Sequence, residues 1–195
     1  MTSMNARLFS LLLLLGLAFV AQTSADEVWL GTSDVTFKGY SFLHDFTGTV
    51  NRVPLKVLVS QGANGRIVSA TSAVEVKQMN TREEARDRGM RQMFDEAQYH
   101  LIKVEVVNAD ERELKPHGAQ PGTLPVTLTI AGRRGTANGA LTNISESRDA
   151  VSFDLAFPVS LKMFNLNPPA ALGGIIKVKD TVDVTVHVTL QRRTQ

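Results

Sequence analysis

The sequence predicts an all-β fold of about eight antiparallel strands with one inserted helix. Apolar and polar residues alternate through most of the chain after residue 26, which is the pattern of strands with one face buried and the other in water. Residues 79–97 interrupt this alternation and follow helical spacing instead. Eight such strands can close into a barrel, which removes exposed sheet edges, and a two-sheet sandwich fits the same pattern.

Residues 1–25 have the features of a cleaved secretory signal peptide. Arg7 precedes the apolar run 8–21, and Thr23 and Ala25 place small residues before the cleavage site. The run is too short for a comfortable membrane span, and no later segment is apolar enough to form a membrane helix. We therefore expect cleavage after Ala25, a mature domain of residues 26–195 in the periplasm, and no stable membrane insertion.

Charge and cysteine content exclude several classes of function. The chain has 21 Lys and Arg residues against 19 Asp and Glu residues, a net charge of +2. This near balance gives no electrostatic basis for binding nucleic acid. There is no Cys, so disulfides, thiol catalysis and Cys-ligated metal sites are excluded, and an exported domain must be held together by its core.

The strands are predicted from the alternation and from the turn residues between them. The parity of the apolar positions flips at Asn51–Arg52, which indicates a β-bulge, and Pro54 on the polar side suits a bulge or an edge. Glycines at 62–65 and 132–135 indicate tight turns. The first strand is predicted to be short. The alternating segments are residues 35–39, 46–50, 53–59, 68–76, 102–106, 124–130, 137–141, 151–161 and 182–190, with the parity flip dividing 46–50 from 53–59.

The helix is predicted to begin at Thr81, whose spacing to Glu84 is that of a capping box, and to lie between the fourth and fifth strands. Gly89 weakens this helix by about 1 kcal/mol relative to Ala, so it must rest on an apolar partner. We interpret it as a cap over the open end of a barrel, and an ordinary connecting helix fits the pattern equally well. Its predicted inner face comprises Ala85, Arg86, Met90, Met93, Phe94 and Ala97.

The sequence contains no recognisable catalytic motif. The residues His44, His100, His117 and His187 do not have the spacing of metal ligands. His44 beside Asp45 could orient a base, but no activated nucleophile accompanies them, and the G-x-S-x-G, P-loop and G-x-G-x-x-G motifs are missing. We therefore predict no catalytic residues, no metal and no cofactor. One Trp and two Tyr are too few for the aromatic girdles of an outer-membrane barrel.

Several short stretches stand in a fixed order and together cover nearly all of the mature chain. They are residues 33–38 (SDVTFK), 43–49 (LHDFTGT), 86–90 (Arg-Asp-x-x-Met), Phe94, 99–102 (YHLI), 128–132 (LTIAG), 172–175 (LGGI) and 177–180 (KVKD). In content and order these stretches resemble the YceI-like polyisoprenoid-binding family. Departures from the family pattern are His100 in place of a Pro, Ala131 in place of a His, and Pro168–Pro169 in place of a Ser-Asp-Phe-Gly turn.

The resemblance implies a lipocalin-like, eight-stranded antiparallel barrel that holds an isoprenoid lipid, either a polyprenyl chain or an isoprenoid quinone, in its pore. It also implies a carrier and not an enzyme. An isoprenoid-modifying enzyme and a ligand-free stress-response domain with a packed core stay open as alternatives, and so does the oligomeric state, a homodimer included. The predicted lipid-binding residues are Phe37, Phe42, Phe46, Val74, Met90, Met93, Phe94, Ile102, Val104, Leu128, Phe153 and Phe157.

Overall fold

The computed structural model describes residues 26–41, 44–116, 120–168 and 178–193. The predicted signal peptide, Phe42 and His117 lie outside these residues. The chain forms a closed barrel in which each antiparallel strand pairs with its neighbour in sequence and the last pairs with the first. The strands are β1 (Glu27–Ser41), β2 (Phe46–Gly62), β3 (Gly65–Glu75), β4 (Leu101–Asp110), β5 (Gly122–Ile130), β6 (Arg133–Glu146), β7 (Ala150–Ser160) and β8 (Val178–Arg192).

Closure of the sheet distinguishes the barrel from the sandwich. Along β1, Gly31 pairs with Leu55 of β2 on one side and with Leu190 of β8 on the other. Because β1 has a partner on both sides, it is not an edge strand. The prediction of an all-β, eight-stranded antiparallel barrel is confirmed.

The first and sixth strands extend furthest beyond their predicted segments. The first strand, predicted to be short, has 15 residues because β1 begins at Glu27. The error arose because Gly31 and Ser33, which are not apolar, occupy inward positions, while Leu30 is exposed. Likewise, β6 has 14 residues although only 137–141 were predicted. Ladder hydrogen bonds from neighbouring strands hold segments whose own sequence alternates weakly.

The predicted bulge at Asn51–Arg52 is confirmed. These two residues of β2 face the single residue Asp34 of β1. Arg52 has φ of 56°, and its N–H donates to the Asp34 carboxylate at 2.8 Å. Because β2 continues through the bulge as one strand, the inserted helix follows the third strand. Its predicted position between the fourth and fifth strands was wrong.

The inserted helix α1 (Glu84–Met93) is shorter than predicted at both ends. Its N-cap is Glu83, which makes no side-chain capping bond. The predicted Thr81–Glu84 capping box is therefore wrong: the buried Thr81 donates from its hydroxyl and its N–H to the Asp87 carboxylate, at 2.6 and 2.9 Å. Ala97 lies beyond the end of the helix and is exposed, so it does not belong to the inner face.

A second, four-residue helix, α2 (Glu111–Leu114), lies at the opposite end of the barrel and was not predicted. Asp110 is its N-cap and accepts a hydrogen bond from the N–H of Arg112 at 2.9 Å. A side chain at Gly122 would overlap the carbonyl of Leu114, so α2 lies directly on the start of β5. We call the two ends of the barrel the α1 end and the α2 end.

The cap of α2 should make stability depend on pH. Hydrogen bonds from the Arg112 side chain and then from its N–H lower the pKa of Asp110 from 3.8 to about 2. Because this pKa is depressed by folding, the stabilisation is complete above about pH 4 and is lost as the pH falls through about 2.

Urea unfolding of the native protein and of Asp110→Asn, which can still cap the helix, checks this prediction. The difference in free energy of unfolding between the two should shrink as the pH is lowered across that window. A difference in free energy of unfolding that stays constant from about pH 4 to about pH 2 would contradict the prediction.

Candidate functional site

The interior of the barrel holds a cavity of about 790 Å³. All eight strands contribute side chains to its wall, from Trp29 and Leu190 at the α2 end to Phe46 and Met93 at the α1 end. The volume falls within the roughly 300–1,000 Å³ of small-molecule sites, whereas packed cores have few voids larger than a water molecule. The barrel is therefore hollow.

The alternation along each strand makes this wall apolar. On β7, Phe153, Leu155 and Phe157 line the cavity, and the residues between them point outward. On β8, inward valines alternate with the exposed Asp183, Thr185 and His187.

All of the predicted lipid-binding residues that the structure describes lie on this wall. Phe42 lies outside the described residues. Contact of these side chains with a lipid stays a prediction. The residues on the wall are Phe37, Phe46, Val74, Met90, Met93, Phe94, Ile102, Val104, Leu128, Phe153 and Phe157.

The helix α1 lies over one end of the cavity, in agreement with its interpretation as a cap. Met90 and Phe94 are buried, Met93 is partly buried, and all three line the cavity. Two backbone hydrogen bonds between Thr49 and Asn80, at 2.9 and 3.1 Å, anchor the segment before the helix to β2. The adaptable Met side chains can follow an irregular apolar ligand.

Two aromatic rings lie across glycines at the α1 end. Phe37 packs on Gly48 of the neighbouring strand, and Phe46 packs on Gly39. A Cβ atom at either glycine would overlap the ring. These small residues leave room for the two rings to lie against the barrel wall, a feature that we did not predict from the sequence.

A group of ion pairs joins strands and α2 at the other end. Arg66 of β3 contacts Glu27 of β1 at 3.1 Å and Glu111 of α2 at 3.5 Å, and Arg192 of β8 contacts Glu27 at 3.0 Å. The indole N–H of Trp29 donates to Glu27 at 3.3 Å. Such partly exposed pairs are each worth about 0–1 kcal/mol, so they position the strand ends more than they stabilise the fold.

The acidic and histidine side chains considered in the sequence make contacts on the surface of the barrel. Asp45 pairs with Lys38 at 3.3 Å. The solvated His187 predicted on the outer face of β8 lies 2.7 Å from Asp154, whose pKa is lowered by hydrogen bonds from Asn143 and His187. No group of three or more His, Asp or Glu side chains among the described residues could hold a metal ion.

None of the described helices is long and apolar enough to cross a membrane. A closed antiparallel barrel around an apolar cavity is the architecture of barrels that enclose one small ligand. The chain belongs to the YceI-like domain family, whose model matches residues 28–190. The resemblance seen in the sequence motifs is thereby confirmed.

Two solved structures show the same fold. BcnA of Burkholderia cenocepacia superposes with a TM-score of 0.62 at 17% identity, over 80% of this chain and 95% of that one. A polyisoprenoid binding domain from Saccharophagus degradans, implicated in plant cell wall breakdown, gives 0.61 at 17% identity, over 85% and 98%. No curated protein is detectably similar to the chain.

Proposed function

We propose that this protein encloses an isoprenoid-type lipid, a polyprenyl chain or an isoprenoid quinone, in its barrel and carries it through the periplasm. The observation that carries the proposal is the apolar cavity of about 790 Å³, which reaches from Trp29 to Met93. A long apolar chain fits an elongated apolar space. Membership of the YceI-like family and the fold shared with a polyisoprenoid binding domain support this class of ligand.

Burial of the chain supplies enough free energy for useful affinity. Each buried CH₂ contributes about 0.8 kcal/mol, so a five-carbon isoprene unit contributes roughly 4 kcal/mol. Association costs an estimated 4–15 kcal/mol in lost freedom. A few isoprene units therefore offset that cost without any polar contact, and the cavity wall needs no catalytic group to perform the function.

Export is the second part of the proposal. Transfer of a lipid through water needs a protein that reaches the periplasm, and residues 1–25 have the pattern of a cleaved signal. The mature N-terminus should be Asp26. Intact-mass analysis of protein from the periplasm measures this directly, and a membrane-bound species that retains residues 1–25 would contradict it.

Native mass spectrometry of protein purified from its own periplasm tests the ligand. We expect a bound isoprenoid that survives gentle ionisation and that organic extraction releases unchanged. Chemical conversion of the lipid by the protein would favour the isoprenoid-modifying enzyme. If no lipid is bound and the delipidated protein takes up no polyprenyl analogue, the protein is a ligand-free domain.

Truncation of Met93 should affect affinity more than stability. In a packed core, Met93→Ala would cost about 2–5 kcal/mol. Because Met93 is only partly buried and lines the cavity, the delipidated variant should lose less, and its affinity for a fluorescent polyprenyl analogue should fall. Thermal unfolding and titration of the variant measure the two effects, with Gln92→Ala on the exposed face of α1 as the control. A large loss of stability together with no lipid binding by the unmutated protein would reject the carrier function.

A further inference from the structure

At the α2 end, three of the four charged side chains that line the cavity are paired, and the fourth, Glu146, forms no ion pair within the described residues. At the α2 end, Arg66 contacts Glu27 and Glu111, and Lys115 lies 3.8 Å from Glu111. At the α1 end, Arg86 lines the cavity beside Phe46. Within residues 26–41, 44–116, 120–168 and 178–193, no carboxylate oxygen lies within 4.0 Å of the Arg86 guanidinium.

The acidic neighbours of Arg86 on α1 are engaged elsewhere. Asp87 accepts hydrogen bonds from Thr81, and Glu84 lies 3.4 Å from Arg88. Glu83 also lines the cavity, but it is exposed and forms no ion pair within the described residues. The donors of Arg86 are therefore available to a ligand.

The position of Arg86 is unfavourable for the helix itself. It is the third residue of α1, and a cation in the first turn opposes the helix dipole. The guanidinium lies 4.8 Å from the centre of the Phe46 ring. Stacking on a ring face leaves the N–H groups at the edge of the guanidinium free to donate.

We propose that Arg86 binds the head of the enclosed lipid, an oxygen-rich group such as a phosphate or a quinone carbonyl, with the tail directed toward Trp29. This inference rests on the proposed function. Guanidinium groups form paired hydrogen bonds with oxygen acceptors, most strongly with phosphate. The opposite end offers the tail a buried apolar cluster, which comprises Trp29, Val57, Val59, Val188 and Leu190.

The two ends are far enough apart to be distinguished by experiment. Phe46 pairs with Gly39 of β1, and Trp29 lies ten residues earlier on the same strand. At about 3.3 Å per residue, this separation is roughly 33 Å along β1. Trp29 is also the single Trp of the chain, so its fluorescence reports on the α2 end alone.

Affinity measurements on Arg86→Leu test the head site. The ligands are a polyprenyl phosphate, an isoprenoid quinone, and an isoprenoid hydrocarbon of equal length without a head. Arg86→Leu should weaken binding of the phosphate by about 10- to 100-fold and of the quinone by less, and should leave the hydrocarbon unchanged. Arg86→Lys keeps the positive charge but loses the planar guanidinium that can donate two parallel hydrogen bonds. This variant should therefore lose part of the phosphate affinity.

Two control variants locate the effect. Arg88→Leu makes the same change on the exposed face of α1 and should alter none of the three affinities. Arg66→Leu should leave the ratio of phosphate to hydrocarbon affinity unchanged. If Arg66→Leu lowers that ratio and Arg86→Leu does not, the head lies at the α2 end and the proposal is wrong.

Fluorescence of the unmutated protein gives the orientation without any substitution. A chain brominated at its tail should quench Trp29, and a chain brominated next to its head should not. The head site is overturned, but lipid binding is not, by either of two results. One is the reverse quenching pattern, and the other is an equal loss of affinity for all three ligands in Arg86→Leu. If none of the three ligands binds the unmutated protein, both proposals fail.

Discussion

The variant Ala70→Phe should block lipid binding and leave the barrel stable. Ala70 is midway along β3, between Val57 of β2 and Val106 of β4, and its side chain lines the cavity. In a filled core, a benzyl-sized addition costs about 1–3 kcal/mol or more through strain. In a cavity of about 790 Å³ the ring has space, so the free energy of unfolding of the delipidated variant should stay within about 1 kcal/mol of the native value.

The same ring should divide the space that a long chain occupies. Exclusion of even one isoprene unit removes roughly 4 kcal/mol of burial, so affinity for a polyprenyl analogue should fall by at least about 100-fold. Ala73→Phe is the matched control, because Ala73 is exposed on the outer face of the same strand. Urea unfolding and lipid titration of both variants measure the outcome. A strongly destabilised Ala70→Phe would mean that the interior is packed.

The architecture was predictable because alternation is a local property of the chain. Within each strand, the alternation of apolar and polar residues indicates which side chains face inward, as the Val and Phe positions of β7 and β8 show. The bulge at Asn51–Arg52 was predictable for the same reason, since an extra residue shifts the parity. Prediction failed where inward positions are small or polar, as at Gly31 and Ser33 of β1.

The residues of the cavity wall could be predicted from the sequence, but the empty volume that they enclose could not. A hollow barrel and a filled barrel have the same alternating pattern, because strand tilt and register set the enclosed volume. Side-chain pairings that depend on the folded geometry also left no signal in the sequence. Thr81 bonds Asp87 and not Glu84, and the pairing of Arg66 with Glu27 depends on strands distant in sequence. Arg86 was assigned to the inner helix face from spacing, whereas its lack of an ion-pair partner among the described residues became visible only with the fold.

Two phenylalanines allow the same substitution to be compared at a packed position and at the cavity wall. Phe164, in the 3₁₀ turn Lys162–Phe164, is 2% exposed and packs on Gly135. Phe153 of β7 is partly buried and lines the cavity. Phe164→Ala should cost about 3–5 kcal/mol, because the lost ring leaves a void among packed neighbours.

Phe153→Ala should cost the delipidated protein less than about 2 kcal/mol, because one side of the ring already borders empty space and has few contacts to lose. Its main effect should be on affinity for a polyprenyl chain, which loses the apolar surface of the ring. Urea unfolding of the two delipidated variants, followed by lipid titration, measures both quantities. Equal and large losses of stability would show that Phe153 is packed as tightly as Phe164. In that case the interior is a core with no room for a lipid. A large loss confined to Phe164→Ala, with weakened binding confined to Phe153→Ala, is the result expected of a barrel in which packed side chains outside the cavity stabilise the fold and side chains on the cavity wall bind the lipid.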